Sequence, residues 1–568
     1  MTADPAAEPT RGWRAAARGR GAAQWRAAAA GAPPAPPRVV PPADLGVLPG
    51  EAMPLGMTVS LDPDTREIAS GILFGGSPPR VLRLTEAGRQ ALAELAAGPV
   101  ASPAAAALAR RLTDAGMAHP EMPVPGVATP ALTVPGLTVP GLTVPGLTVP
   151  GPTVPGPTVP GVTVVVPTRD RAARLRRCLA AAAGYPLLVV DDGSRDPAAV
   201  AEAAAAADAR LLVRRVNGGP AAARNTALRQ VSSEFVAFLD SDCEPPPGWI
   251  SALAAHFADP LVVAVAPRIV AAPDGTGKPD STGGPLDLGD RAARVAPMTR
   301  VSYVPTAALL VRRSALGTGF DEALRYGEDV DLVWRLIEAG WRVRYEPSVS
   351  VTHAGPASLP GLLHRRYLYG TSAAPLTRRH PGRVAPLVLQ PWPTVTMAAL
   401  LARRPLTAGA TFAVSTALLA RRLRANGLPA AGITRPMAAG VWQTWLGTGR
   451  WCGQFAAPAL VAVIARPGGQ TPRTRWGRRL AAASLLAGPP LAQWARSRET
   501  SPLRSVATAL ADQAAYGAGV YAGCVRERTI APLLPSVAWK PFAELRCQRH
   551  LAPPNPGQHH PHPARPSR

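Results

Sequence analysis

Between residues 162 and 242, four short β-branched apolar runs, "VTVVVPTRDR" (162–171), "YPLLVVDDGSRD" (185–196), "ARLLVRRV" (209–216) and "SEFVAFLDSD" (233–242), are separated by helical stretches such as "RAARLRRCLAAAA" and "PAAARNTALRQV". Strands this apolar cannot face water on either side. Their alternation with helices therefore predicts an α/β fold, a mostly parallel sheet sandwiched by helices. Such sheets bind ligands beyond the carboxyl ends of their strands, and Asp191, Asp192, Asp240 and Asp242 all stand there.

The rest of the 568 residues arranges itself around that core, with room for two or three domains. Residues 1–38 are Ala, Arg, Gly and Pro with almost no large apolar side chain, and are expected to be a disordered basic tail. Residues 39–120 read as a small winged-helix-like module. It has a strand followed by a helix from about Thr85, then a second helix with Ser102 as N-cap and Pro103 in its first position, stopping at Gly116. Docking of a peptide and plain extension of the main domain both remain open for it. Residues 121–161 form a linker, because Val-Pro-Gly-x-Thr repeats six times from Val134 to Thr163 and Pro-Gly suits a type II turn without building a core. The α/β domain spans 162–383, a helical region 384–545, and a second disordered tail 546–568.

Sixty-one basic against 37 acidic residues gives +24, but only Lys278 and Lys540 are lysines, and the excess arginine accompanies a bias toward Ala, Pro and Gly. A basic nucleic-acid-binding protein is the competing class. The few arginines of the module's helices are partly offset by acids, so no nucleic-acid partner is expected. Five scattered cysteines without C-x-x-C spacing and an N-terminus without an apolar signal core point to the cytoplasm. The longest apolar runs of the helical region, "PLTAGATFAVSTALLA" and "FAAPALVAVIA", fall short of the ~20 residues that cross a bilayer. With Arg403, Arg404, Arg421 and Arg422 beside the first, three readings stay open: a layer on an anionic inner membrane surface, a helical cap on the core, or one marginal span.

The candidate chemistry lies in five places. Asp240 and Asp242 leave a strand end together, where two carboxylates repel unless a hard divalent cation shares them with a diphosphate; the bland reading is a capped surface turn. Asp191 and Asp192 end another core strand, placed for a base or ribose or for an Asx turn. Gly218-Gly219 leads into a helix carrying Arg224, whose free N–H groups would attract phosphate, unless Arg224 merely pairs with a carboxylate. In "YGEDVDLVWRLIEAGW", Val330, Val333, Leu336 and Ile337 share a face, and Asp331 is placed to pair with Arg335. Glu328 and Asp329 open that helix behind Gly327, which leaves room for a ligand; they serve either the helix dipole or as general base on an acceptor hydroxyl. His353 closes the run "YEPSVSVTH", as a structural residue or a metal ligand.

The ordered set V-V-V-P-T-R-D-R, V-D-D-G-S-R-D, N-G-G-P-A-A-A-R-N, F-L-D-S-D and G-E-D-V-D-L-V-W-R-L resembles the family 2 glycosyltransferases of GT-A (Rossmann-like) fold. The resemblance implies an inverting hexosyltransferase using a nucleotide-diphosphate sugar with Mn²⁺ or Mg²⁺. On that pattern Pro167, Asp191, Asp192, Arg224 and Asp240 would hold the donor nucleotide, and Asp242 and His353 the metal. Asp329 would be the catalytic base, with Glu328 and Asp331 on the acceptor side. Across residues ~40–540 the chain is similar to the mycofactocin-system glycosyltransferases, which implies UDP-glucose as donor and, as acceptor, a redox cofactor made from a ribosomal peptide, extended into an oligosaccharide. A polyprenyl phosphate or cell-envelope glycan is the alternative acceptor. The pentapeptide linker and the Arg-rich ends depart from that family's pattern.

Overall fold

A computed structural model describes residues 37–48, 52–121, 161–272, 286–355, 358–467, 471–498 and 501–538. The basic tail up to residue 36, nearly all of the pentapeptide linker and the C-terminal tail lie outside the described residues.

The first folded unit carries strand β1 (Thr58–Leu61), an antiparallel meander β2 (Arg66–Ala69), β3 (Ile72–Gly75) and β4 (Arg80–Arg83), helices α1 (Glu86–Ala97) and α2 (Pro103–Asp114), and β5 (Ala118–Glu121), which returns to pair with β1. Both helices start where side-chain oxygens supply the missing acceptors: Thr85 takes the Gly88 N–H and Ser102 the Ala105 N–H, with Pro103 at the first position of α2. Leu73, Leu95, Leu112 and Met117 fill a core of its own.

The central sheet has the order β10-β14-β11-β13-β9-β6-β7-β8, with β12 added on β14. The parallel half is the one the alternation demands: β6 (Val162–Thr168), α3 (Ala172–Ala181), β7 (Leu187–Asp192), α4 (Pro197–Ala205), β8 (Arg210–Arg214), α5 (Pro220–Leu228) and β9 (Phe235–Leu239). Period-two geometry divides it cleanly, with Val165 in one core and Val164 and Val166 in the other. Beyond β9 the sheet is mixed. After β10 (Cys243–Glu244) and α6 (Trp249–Ala254), β11 (Val262–Ala271) is separated from β9 by β13 (Ala308–Arg312), which runs antiparallel to both; β12 (Ala293–Val295) pairs antiparallel with β14 (Arg342–His353), itself parallel to β11. Helix α7 (Glu328–Glu338) covers this half, with Val333, Leu336 and Trp334 in the core.

The segment 37–48 belongs to this domain and not to the module. Val40 donates to the Ala315 carbonyl, and the Trp341 indole N–H and the Arg335 guanidinium donate to the carbonyls of Val40 and Pro37. The module itself is docked by two bidentate ion pairs: Arg110 grips both oxygens of Asp259 at 2.6 and 2.7 Å in a buried contact, and Arg342 both oxygens of Asp114 at 2.6 Å in a half-buried one. Asp259 and Arg342 stand at the amino ends of β11 and β14, so the module meets the sheet at the end away from the strands' carboxyl edge.

After β14 the chain is helical: α8 (Leu359–Gly370), α9 (Ala373–Arg379), then, past the short β15 (Val388–Leu389), α10 (Pro391–Leu401), α11 (Pro405–Ala425), α12 (Thr434–Phe455), α13 (Ala457–Ala465), α14 (Pro472–Ser497) and α15 (Pro502–Glu527), with β16 (Ser536–Val537) returning to β15. Among the described residues no helix is long and apolar enough to cross a membrane. Helix α15 lies backbone-close to its neighbours because its sequence "YGAGVYAG" offers glycine where they touch. A Cβ at Gly517 would come 1.9 Å from the Gln454 carbonyl oxygen, and one at Gly519 1.9 Å from that of Tyr367.

Candidate active site

A cavity of about 1020 Å³ opens at the carboxyl ends of β6, β7 and β9. Pro167, Asp192, Arg224, Asp240, Asp242, Glu328, Asp329 and His353 line it together, although they come from positions as far apart as 167 and 353. Asp191 and Asp331 do not line it.

Asp240-Ser241-Asp242 is a tight turn, not a strand end with two carboxylates side by side: the Cys243 N–H donates to the Asp240 carbonyl at 2.9 Å. The two acids consequently have separate partners. Asp240 Oδ1 accepts from Arg224 Nη2 at 2.8 Å. Asp242 Oδ2 accepts from Arg171, with Arg174 at 3.5 Å, while Asp242 Oδ1 lies 3.6 Å from His353 Nε2. Strand register makes this last approach, since β10 pairs with β14 so that Cys243 faces His353 and the Ala354 N–H donates to the Asp242 carbonyl. Burial lowers the His353 pKa against the pull of Asp242 and Asp240. A neutral imidazole keeps a lone pair for a cation, and the carboxylate oxygen beside it is a hard donor, so the pair fits a divalent metal completed by ligand oxygens. Among the described residues no cluster of three protein ligands exists.

Arg224 is buried and does not wait for phosphate. It donates to Asp240 and, through Nη1, to Glu328 Oε1 at 2.9 Å, tying the β9 turn to the start of α7. Although burial alone would lower its pKa, Asp240 and Glu328 hold it above the usual value. The expected phosphate site at Gly218-Gly219 is likewise occupied from within, because both N–H groups donate to the Asp192 carboxylate at 2.9 and 2.7 Å. Asp192 thus shapes the loop into α5. Asp191 is buried at the end of β7, next to the cavity-lining Asp192 and paired in register with the cavity-lining Thr168. Its Oδ1 accepts from the Ser194 N–H and hydroxyl, whereas Oδ2 is buried with no partner, as is Thr168 Oγ1 on the neighbouring strand. An orphaned buried acceptor is costly and points to a ligand donor.

Helix α7 begins at Gly327, whose φ of +80° suits glycine, but the space beside it is taken by Ser372 and Leu376 of the next layer and not by a ligand. Burial, then the charge of Asp329, raises the Glu328 pKa to about 7 despite Arg224; burial also raises that of Asp329, which has no cation bonded to it. Asp331, two residues on, turns into the core. It is fully buried, bonds Arg335 at 2.7 Å as the sequence spacing predicts, and accepts from His380 at 3.1 Å. It therefore stands apart from the acceptor side assigned to it; at ~100° per residue it points away from Asp329.

Sequence reasoning missed much of the opposite wall. Tyr303, Tyr326, Arg365, Tyr369, Phe455 and Tyr516 line it, from the loop after β12, the turn before α7, α8, α12 and α15. Arg171 was within reach, lying next to the β6 motif. Tyr516 and Phe455 carry no local signal, because only the folding of the helical region onto the sheet brings them in.

The family model described as "Glycosyl transferase family 2" matches residues 163–320. The pre-mycofactocin glycosyltransferase of Mycobacterium tuberculosis is 37% identical over 507 residues, covering 85% of this chain and 98% of that protein. The N-acetylglucosaminyl-diphospho-decaprenol L-rhamnosyltransferase of the same organism is 32% identical over 34% of this chain and 75% of its own. The succinoglycan biosynthesis protein ExoU of Rhizobium meliloti is 31% identical over 32% of this chain and 58% of its own.

Proposed function

The chain belongs to glycosyl transferase family 2, and from that membership we propose that it moves glucose from UDP-glucose, with inversion and with a divalent cation, to a hydroxyl of the peptide-derived cofactor precursor pre-mycofactocin, extending it into an oligosaccharide in the cytoplasm. The acceptor rests on likeness to the M. tuberculosis protein along almost its whole length. The carrying observation is the meeting of Asp240, Asp242, His353 and Asp329 around one cavity.

Asp191 Oδ2 would accept a nucleobase N–H, which removes its unpaired burial. The Asp240 carboxylate, held by Arg224, would accept from the ribose. Asp242 and His353 would hold Mn²⁺ or Mg²⁺, which when bound neutralises the diphosphate that leaves. Arg171 adds positive charge at the same edge. Asp329 takes the proton from the incoming hydroxyl, its raised pKa making it a stronger base near neutrality, while Glu328 stays fixed by Arg224. Attack from the face opposite the departing diphosphate inverts the anomeric carbon.

Purified protein incubated with radiolabelled UDP-glucose and the peptide-derived acceptor is expected to give a ladder of hexose additions by mass spectrometry. The second reading, transfer to a polyprenyl phosphate or envelope glycan at the inner membrane surface, is favoured by the rhamnosyltransferase relative and by the exposed apolar side chains of the helical region. Label confined to the lipid fraction would establish it and remove the first.

A further inference from the structure

From residue 347 to residue 498 the chain holds nineteen arginines and not one aspartate or glutamate. The α/β domain matches its arginines with acids, as at Arg224, Arg268 and Arg335. The sequence of α10 to α14 contains no aspartate or glutamate. Three helix ends in this stretch meet at one corner. Arg403, at the foot of α11, lies across the first turns of α14, where a Cβ on Gly477 would come 2.6 Å from its Cδ. Arg478 of α14 donates to the Arg466 carbonyl at the end of α13 at 3.4 Å. Arg404 stands beside Arg403, and Arg475 and Arg479 flank Arg478.

The same corner exposes large apolar side chains. Leu406 is 88% exposed, Trp476 58% and Leu480 62%, and the stripe continues along α11 through Val414 and Leu418, at spacings of eight and four that keep one side of the helix. Val461 of α13 is 55% exposed. Exposed leucine and tryptophan embedded in arginine, on helices too short in apolar length to span a bilayer, match the chemistry of an interface that inserts apolar side chains while guanidinium groups meet phosphates. We infer that the corner formed by the start of α11, the end of α13 and the start of α14 is a docking surface for an anionic phospholipid membrane. Charge chooses the occupant. A second copy of the same face would bring arginine against arginine, and a neutral bilayer would leave the guanidinium groups without counter-ions. This deepens the inner membrane surface named in the second reading above and is independent of which acceptor is glucosylated.

The test is flotation of the full chain with vesicles. Binding is expected to phosphatidylglycerol-containing phosphatidylcholine vesicles at 0.1 M NaCl, with at least fivefold less to pure phosphatidylcholine and at 0.5 M NaCl. Two variants, L406S/W476S/L480S and R475Q/R478Q/R479Q, should each lose at least fivefold of that binding with unchanged melting temperature and unchanged UDP affinity. Where the triple apolar variant melts early, Leu406→Asp, at a position almost wholly in solvent, is read instead. Undiminished binding in these variants would assign adhesion to the Arg-rich termini and overturn the proposal. So would the absence of vesicle binding, or a concentration-dependent mass increase that the apolar variants abolish, which would make a second copy the occupant. Failure of glucose transfer with intact vesicle binding would strike the acceptor assignment alone.

Discussion

On the sheet side of the cavity Asp240, Asp242 and Glu328 each have an arginine partner, and Asp192 holds a loop with both its oxygens. The wall facing them is built differently. Tyr303, Tyr369, Phe455 and Tyr516 are uncharged, and the helices that carry the last three are set by glycine contacts: a Cβ on Gly370 would come 2.2 Å from the Tyr516 carbonyl oxygen. One wall is organised by charge, with its groups fixed before a ligand arrives, which is what stabilising a departing diphosphate requires. Apart from Arg365, the other is organised by shape, which is what choosing among acceptors requires.

The largest effect should come from the charged wall. Asp242→Ala is expected to abolish metal-dependent donor binding; at 1.36 kcal/mol per decade, losing the several kcal/mol a cation contributes costs about 10³-fold or more in kcat/KM. Calorimetry with UDP and Mn²⁺ measures it, and equal affinity in wild type and variant would remove the clamp. Asp329→Asn should bind donor within about threefold of wild type yet lose about 10²- to 10³-fold in kcat. The raised carboxyl pKa values add a pH signature. Because the base acts deprotonated and burial raises the Asp329 pKa above the usual carboxylate value, kcat/KM should fall about tenfold per unit as pH drops below that raised value. That limb should vanish in Asp329→Asn. On the shaped wall, Gly519→Val forces α15 off α8, since even a Cβ there would sit 1.9 Å from the Tyr367 oxygen. The expected cost is about 1–3 kcal/mol of stability, read as a lower Tm, with acceptor KM raised and UDP affinity unchanged. A donor defect of equal size would erase the distinction between the walls.

Much of this site was readable in advance for local reasons. An apolar strand that ends in an acid must deliver it to the carboxyl edge, so Asp191, Asp192, Asp240 and Asp242 were placed by pattern, and the caps at Thr85 and Ser102 by side-chain type. Direction was harder. Neighbouring residues on a strand face opposite ways, so Asp191 and Asp192 take different tasks, and Asp331 faces His380 because helix geometry turns it away from Asp329. Arg224 pairs with carboxylates, one of the two readings its sequence leaves open, but no local pattern names the partners, which lie 16 and 104 residues away along the chain.

The sequence by itself determined the α/β alternation, the edge on which the acids stand and the face of α7 that enters the core, because each follows from hydrogen bonding and periodicity within a dozen residues. Only the tertiary structure decided that β13 enters antiparallel, that His353 comes to rest beside Asp242 and that α12 and α15 close the cavity. Those outcomes depend on which distant surfaces pack with least void and fewest unpaired polar groups, a balance that no short stretch of chain encodes alone.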